Sequence, residues 1–257
     1  MPRVDLNSDL GESFGVWRLG DDAAMYPLIT SANIACGYHA GDAATMVASC
    51  RAAAEHGVAV GAHPSYRDLA GFGRRAIEQP LDTLHADVLY QVSALEGIAA
   101  HVGTRVRYVK AHGALYNRAA VDPAVAEVIA DVARSRGLLV LGLASSAMAD
   151  ACSRAGVAFI AEAFVDRGYR ADGTLAPREL DGAVLTDPAV VAQRAVRMVL
   201  DGEVETIDGT LLAVRPASLC VHGDTAGAVA IAGAVRAALD AAGVVVRAAV
   251  DEHPLER

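Results

Sequence analysis

Short apolar segments alternate along the chain with longer segments that carry helix start and stop signals. Most of the apolar segments are nearly continuous, which is typical of parallel strands buried on both faces. Eight segments fit this description: Val4–Leu6, Ala32–Tyr38, Val58–His63, Val106–Ala111, Leu138–Leu143, Val157–Phe164, Ser218–His222 and Val244–Val250. Alternating strands and helices with short connections predict an α/β fold with a parallel sheet. Eight strands favour a closed (β/α) barrel over an open doubly wound sheet, and we expect residues 1–257 to form one barrel domain.

Capping residues mark where the helices begin. Asp42, Asp122 and Asp187 each stand at the N-cap position of a helical segment, and the last two are followed by proline. The last long helix is expected to begin at Asp224 or Thr225. These signals place helices between the predicted strands, as a barrel requires.

Two long segments interrupt the alternation. Tyr66–Pro80 is rich in glycine and arginine, and Asp166–Asp187 follows the sixth predicted strand. Long ordered loops in a compact domain are often lids or binding loops, and we favour that interpretation for the second one. Glu203–Val214 is expected to form a small hairpin.

The composition excludes several classes of protein. Of the 257 residues, 53% are apolar and 21% are charged, so the chain can bury a large core. A formal net charge of −9 argues against nucleic acid or an anionic membrane as a partner. With no secretory signal and no membrane-spanning apolar run, we expect a soluble, cytoplasmic protein. Its four cysteines lack metal-binding spacing and are expected in the core: Cys36, Cys50, Cys152 and Cys220.

Polar and ionisable side chains gather where the predicted strands end. In a barrel, these C-terminal ends form the mouth at which active sites lie. We therefore expect residues from six separate stretches to meet in one pocket. The candidates are Asp5, Asn7, Asp9, His39, His63, Lys110, His112, Glu162, Arg167, His222 and Asp224.

For several of these residues, a structural role is also compatible with the sequence. Asp224 also stands where a helix N-cap is needed, and Asp5 lies inside a strand, where it could be a paired structural carboxylate. Carboxylates and imidazoles at strand ends suit a divalent metal, but no short motif fixes two ligands on one element. The sequence therefore assigns no residue to a metal. It also contains no P-loop for nucleotide binding.

Six motifs, in order along residues 4 to 250, resemble the LamB/YcsF family. They are VDLNSDLGESFG near the N-terminus, ANIACGYHAGD at 32–42, GAHPSYRDLAGFGRR at 61–75, KAHGALYN at 110–117, AEAFVDRGY at 161–169 and CVHGDT at 220–225. Ser8 stands where the family pattern has cysteine, and Ala111 where it has proline. Neither difference removes an ionisable group.

The resemblance implies a seven-stranded (β/α) barrel similar to glycoside hydrolase and deacetylase barrels. It also implies the A subunit of an ATP-dependent 5-oxoprolinase, which hydrolyses 5-oxo-L-proline to L-glutamate while ATP is hydrolysed to ADP and phosphate. Two partner subunits, B and C, are implied for full activity, with ATP as a substrate.

For this reaction we expect a division of roles among the catalytic candidates. Lys110 is expected to stabilise developing negative charge. Asp5 or Asp9, together with His39 or His63, is expected to activate water or the amide.

The other candidates are expected to bind or orient the substrate. Arg167 is expected to hold the substrate carboxylate as a two-pronged partner. The remaining orienting residues are Asn7, His112, Glu162, His222 and Asp224.

Two further functions are compatible with the same residues. One is a stand-alone metal-dependent amidohydrolase or deacetylase on a similar barrel. The other is a non-catalytic binding subunit whose partners perform the chemistry, although buried charges without a task are costly.

Overall fold

The computed structural model describes residues 1–225 and 227–252. Its strands are β1 (Arg3–Leu10), β2 (Ser31–Ala35), β3 (Ala59–His63), β4 (Val106–Val109), β5 (Leu139–Leu143), β6 (Phe159–Phe164), β7 (Glu203–Glu205), β8 (Leu211–Ala213), β9 (Ser218–His222) and β10 (Val245–Val246). Its α-helices are α1 (Asp22–Met25), α2 (Ala43–His56), α3 (Leu81–His101), α4 (Gly113–Val121), α5 (Pro123–Arg136), α6 (Ala147–Ala155), α7 (Pro188–Leu200) and α8 (Ala228–Ala241). Short 3-10 helices cover Tyr26–Leu28, Leu69–Gly71 and Ala249–Glu252.

Seven parallel strands of the described chain close into a barrel. Their order is β1-β2-β3-β4-β5-β6-β9, and β9 pairs back with β1. The register places Asp5 opposite Ser218 and Asp9 opposite His222. Flanking helices cover the outside of the strands, which accounts for the nearly continuous apolar segments. The barrel prediction is confirmed, with the seven strands that the family resemblance implies.

The eighth predicted strand is wrong over most of its length. Of Val244–Val250, only Val245–Val246 is a strand, and it pairs with Arg3 and Val4 at the start of β1. It cannot extend further along β1 because β9 occupies that edge from Asp5 onward. Instead, this terminal segment packs against inward-facing apolar residues of the barrel. The cluster consists of Tyr108, Leu139, Leu141, Ile160, Ala248 and Val250.

The predicted caps are confirmed for three helices and wrong for the last one. Asp42, Asp122 and Asp187 each accept hydrogen bonds from backbone N–H groups in the first turns of α2, α5 and α7. The last helix begins only at Ala228, and neither of the two predicted residues caps it. The physical reason is that Asp224 forms an ion pair with an arginine across the barrel mouth.

The remaining predictions about organisation can be compared directly. β7 and β8 form the predicted antiparallel hairpin. The second predicted strand ends at Ala35, because the chain turns at Gly37, whose φ is +101°. The four cysteines are free and buried. Within residues 1–225 and 227–252, no helix combines the length and the apolar character needed to cross a membrane.

Candidate active site

A cavity of about 590 Å³ opens at the C-terminal ends of the barrel strands. Residues that the strand-end pattern predicts line it from several different strands and the loops that follow them. They are Asp9, His63, Lys110, His112, Arg167 and His222. The other predicted residues lie around this cavity: Asn7 and Glu162 beside Lys110, His39 beside His112, Asp5 deeper along β1, and Asp224 at the rim.

Lys110 is the only lysine in the sequence, and its side chain is buried. Its Nζ lies 3.1 Å from Asp9 Oδ1 and 3.1 Å from Glu162 Oε2. It also donates to Asn7 Oδ1 and Cys220 Sγ, both at 3.2 Å. Burial alone would lower the pKa of Lys110, but the neighbouring carboxylates outweigh it and hold the pKa well above its ordinary value. Lys110 is therefore a fixed cation that positions two carboxylates.

Asp9 presents one oxygen to the scaffold and one to the histidines. Its Oδ1 accepts from Lys110 and, at 2.8 Å, from Asn33 Nδ2. Its Oδ2 lies 3.4 Å from His63 Nε2. Burial would raise the pKa of Asp9, but the charge of Lys110 outweighs it and holds the pKa well below its ordinary value. Asp9 is therefore a carboxylate at neutral pH.

His63 and His112 face one another across the cavity floor. His63 ends β3, and its Nδ1 lies 2.7 Å from the carbonyl oxygen of Lys110. His112 precedes α4, and its Nε2 lies 2.8 Å from the carbonyl oxygen of Phe72. The remaining nitrogens, His63 Nε2 and His112 Nδ1, are 3.0 Å apart. The two imidazoles thus direct their second nitrogens at one another.

His39 and Glu12 complete this group from the loops after β2 and β1. His39 Nε2 lies 3.2 Å from Glu12 Oε1, and the His39 and His112 rings stack with centroids 3.7 Å apart. Burial lowers the pKa of both His39 and His112 well below the ordinary value. Burial raises the pKa of Glu12 well above its ordinary value, and the charge of Asp9 adds to this.

Four of these side chains could hold a metal ion. Glu12, His39, His63 and His112 each offer one ligand atom, and these atoms lie within 4.8 Å of one another. The set was missed by sequence because its members come from four separate strand ends rather than from one short motif. The signal available in the sequence was that each of the four residues lies at, or shortly after, the C-terminal end of one of the first four strands.

Asp5 occupies a different environment, deeper in the barrel. Its Oδ1 accepts from the hydroxyls of Thr30 at 2.6 Å and Ser31 at 2.7 Å, and Ser218 donates to its Oδ2. Burial raises the pKa of Asp5 above its ordinary value, although these three hydrogen bonds oppose the effect. Asp5 does not contribute to the wall of the cavity among the described residues, so the geometry favours its structural interpretation.

His222 is oriented by Asp166, a residue that the site prediction left out. His222 Nδ1 lies 2.9 Å from Asp166 Oδ1, and the His222 backbone N–H donates to Oδ2 at 3.1 Å. Burial would raise the pKa of Asp166, but His222 outweighs it and lowers the pKa. The His222 ring also stacks on the ring of Phe164, with centroids 5.2 Å apart.

Arginines surround the opening of the cavity. Arg167 donates to the carbonyl oxygens of Ala183 at 3.1 Å and Ala176 at 2.6 Å, so it also holds its own loop in place. Burial lowers the pKa of Arg167 to about 10. Three more arginines contribute to the same wall: Arg74, Arg170 and Arg178. Of these, Arg74 forms an ion pair with Asp224. The rim therefore suits an anionic ligand.

Two polar residues in the barrel interior were also missed. Asn33 donates to Asn7 Oδ1 at 2.8 Å, and the Tyr108 hydroxyl donates to Asn33 Oδ1 at 2.6 Å. Both are fully buried within strands, which a search at strand ends passes over. Polar residues at every second position, as in Asp5, Asn7 and Asp9, were the signal that could have found the inward face.

Comparisons with known proteins agree with this architecture. The model of the LamB/YcsF family matches residues 4–253. The A subunit of 5-oxoprolinase from Mycobacterium avium is 56% identical over 250 residues, which cover 96% of this chain and 99% of the relative. A 5-oxoprolinase A subunit from Agrobacterium fabrum is 50% identical, with 96% and 98% covered.

A solved structure gives the same result for the fold. The crystal structure of a lactam utilization protein from Thermus thermophilus is 44% identical and superposes with a TM-score of 0.91. The match covers 96% of this chain and 99% of that protein. The chain belongs to the LamB/YcsF family.

Proposed function

We propose that this chain is the A subunit of an ATP-dependent 5-oxoprolinase. The reaction is the hydrolysis of 5-oxo-L-proline to L-glutamate, coupled to the hydrolysis of ATP to ADP and phosphate. The observation that carries the proposal is the cavity itself, whose floor combines Asp9 with imidazoles and whose rim carries arginines. The names of the relatives agree with this chemistry.

The cavity suits the charges of the proposed substrate. 5-Oxoproline carries a carboxylate on a small lactam ring, and guanidinium groups surround the opening, on Arg74, Arg167, Arg170 and Arg178. A cavity of about 590 Å³ is larger than this ring needs. The extra room can accept a phosphate on the lactam oxygen.

The coupling to ATP has a chemical reason. An unstrained lactam is stabilised by resonance, so water attacks it slowly. Transfer of the terminal phosphoryl group of ATP to the lactam oxygen releases ADP and makes the ring carbon electrophilic. Water adds to this carbon and the ring C–N bond breaks, which leaves a free amine and an acyl phosphate; a second water then hydrolyses the acyl phosphate to glutamate and phosphate. The carboxylate and imidazole groups at the cavity floor then activate the attacking water, while Lys110 holds Asp9 in place.

Full activity is proposed to require partner subunits B and C, with ATP consumed in the assembled complex. The proposed compartment is the cytoplasm. ATP is available there, and its reducing conditions agree with four free, buried cysteines.

A second candidate function has one specific observation in its favour. The group of Glu12, His39, His63 and His112 suits a metal-dependent amidohydrolase or deacetylase that needs no ATP. A non-catalytic binding subunit is the third alternative.

One assay separates the first two functions: glutamate formation from 5-oxoproline by the chain alone and with subunits B and C, each with and without ATP. The proposal predicts that glutamate forms only when this chain, subunits B and C, and ATP are all present. Glutamate formation by the isolated chain without ATP would instead support the amidohydrolase. Equal activity of the partners with and without this chain would overturn a catalytic role.

A further inference from the structure

The outward-facing nitrogens of three buried histidines are committed to hydrogen-bond acceptors. A carbonyl oxygen can only accept, so His63 Nδ1 and His112 Nε2 must each carry the hydrogen that they donate to Lys110 and Phe72. The Ser65 hydroxyl donates to the Tyr66 carbonyl oxygen at 2.8 Å, which leaves Ser65 Oγ to accept from His39 Nδ1 at 3.1 Å. In their neutral form, all three rings therefore present an unprotonated second nitrogen on their inner side.

Those inner nitrogens meet acceptors rather than donors. His63 Nε2 and His112 Nδ1 bring two lone pairs to 3.0 Å, and His39 Nε2 lies 3.2 Å from Glu12 Oε1. His112 Nδ1 is also 3.5 Å from Glu12 Oε1. A proton on Glu12 would relieve one contact but would leave the two histidines facing each other. Such a cluster needs a positive charge among the lone pairs, either a proton shared between His63 and His112 or a metal ion.

We propose that Glu12, His39, His63 and His112 bind one divalent transition-metal ion of the Zn²⁺ type at the floor of the cavity. The ligands are His39 Nε2, His63 Nε2, His112 Nδ1 and a carboxylate oxygen of Glu12.

The distances and the donor set agree with this ion. Bonds of about 2.0–2.1 Å in a tetrahedral site place neighbouring ligand atoms about 3.3 Å apart. The three shortest contacts named above are 3.0, 3.2 and 3.5 Å, and all four ligand atoms lie within 4.8 Å of one another. Binding would therefore draw the more distant ligands closer and turn the stacked His39 and His112 rings toward the ion. Three imidazoles and one carboxylate favour Zn²⁺ and similar first-row ions over Mg²⁺ or Ca²⁺, which prefer oxygen ligands.

The surroundings of the ligands have the form expected of a metal site. Metal-bound histidines usually donate their second N–H to a carbonyl oxygen or a carboxylate, which fixes the ring and its tautomer. Lys110 and Phe72 provide such carbonyl oxygens for His63 and His112. Gly73 lets the loop pass close above these rings, because a Cβ there would lie 2.8 Å from His112 Cδ2.

Such an ion would face the substrate cavity, since His63 and His112 line it. There it could polarise a carbonyl oxygen or increase the acidity of a bound water. This task in lactam hydrolysis rests on the proposed function, whereas the binding of the ion does not. With the ion bound, the three histidines act as ligands rather than as bases, and Asp9 and His222 remain in the cavity to move protons.

The test is a metal titration of the purified chain after removal of metals with a chelator and dialysis. Isothermal calorimetry with Zn²⁺ and the visible absorption of added Co²⁺ both report on the site without any substrate. We expect one ion per chain, a Co²⁺ spectrum typical of nitrogen and oxygen ligands, and binding at least 100-fold weaker in His63→Ala and in Glu12→Gln.

His85→Ala is the matched control, because His85 pairs with Asp131 at the surface, outside this cluster. It should bind the ion as the wild-type chain does, and circular dichroism verifies that each variant is folded. Absence of stoichiometric binding by the folded wild-type chain would overturn the proposal. In that case ¹⁵N spectra of the imidazoles should instead show a proton shared between His63 and His112. Equal binding by His63→Ala and His85→Ala would also overturn it.

Discussion

Lys110 has a buried ammonium group that compensates two buried carboxylates, Asp9 and Glu162. Replacing it with methionine keeps much of the volume but leaves both negative charges without their partner. We expect Lys110→Met to lower the free energy of unfolding by about 3–5 kcal/mol, measured by urea denaturation. Adding Glu162→Gln to this variant should recover part of the loss. Full stability of Lys110→Met would contradict the described ion pairs.

The same residue permits a simple test of burial. Because Lys110 is the only lysine, its Nζ is the only side-chain primary amine in the chain. An amine-reactive reagent should leave Lys110 unmodified in the native protein and modify it in urea, as read by mass spectrometry of peptides. Rapid modification of the native protein would show that the ammonium is exposed.

The Asp166–His222 pair predicts a specific dependence of stability on pH. The folded-state pKa of Asp166 lies below its ordinary value of 3.8, so the unfolded chain binds this proton more tightly. The stabilisation that the Asp166 carboxylate provides is therefore complete when the pH is above its ordinary pKa. It is lost as the pH falls through the pKa of Asp166 in the folded protein.

Asp166→Asn should lower the free energy of unfolding by about 1–3 kcal/mol at pH 7, since it weakens a charged, buried hydrogen bond. The difference between wild type and variant should decrease below the ordinary pKa of 3.8. Urea denaturation over a pH series measures this. A difference that stays constant down to the acid limit would mean that the Asp166 charge does not stabilise the fold.

At the scale of single elements, replacing a glycine with alanine should have opposite effects on stability in a strand and in a helix. A Cβ on Gly61 in β3 would lie 2.2 Å from the ring of Tyr108, which is fully buried. On Gly97 in α3, a Cβ would meet no described atom within 4 Å outside its own helix and neighbours. The helix position also gains from the better helix propensity of alanine.

We therefore expect Gly61→Ala to destabilise the protein by about 1–3 kcal/mol or more through overpacking. Gly97→Ala should stabilise it by about 0.5–1 kcal/mol. Thermal denaturation of the two variants measures both effects. Similar melting temperatures for the two would contradict the described packing of β3 against β4.

The elements also show how far the sequence carries the prediction. Buried strands and their caps leave local signals, so β3 and the cap at Asp42 follow from neighbouring residues alone. Whether Val244–Val250 forms a strand depends on which segment pairs with β1. That pairing is set by closure of the barrel, which places β9 beside β1 from Asp5 onward. Contacts such as Tyr108 to Asn33 depend on register, which no local pattern contains.

At the scale of the whole molecule, barrel closure is what creates the candidate site. It brings Asp9, His63, Lys110 and His222 to one cavity, although they are far apart in sequence. The chain carries a formal net charge of −9, yet the cavity rim is rich in arginine. This local reversal of charge favours an anionic substrate at that one place.

The central claim is that this cavity performs the hydrolysis of 5-oxoproline. The most direct test is ATP-dependent glutamate release by the reconstituted complex containing His63→Ala or Asp9→Asn, with His85→Ala as the control. Gel filtration verifies that each complex assembles. We expect a loss in kcat of about 100-fold or more for the two cavity variants, within the range for groups that assist proton transfer, and no loss for the control. Unchanged glutamate release by both cavity variants would contradict the account.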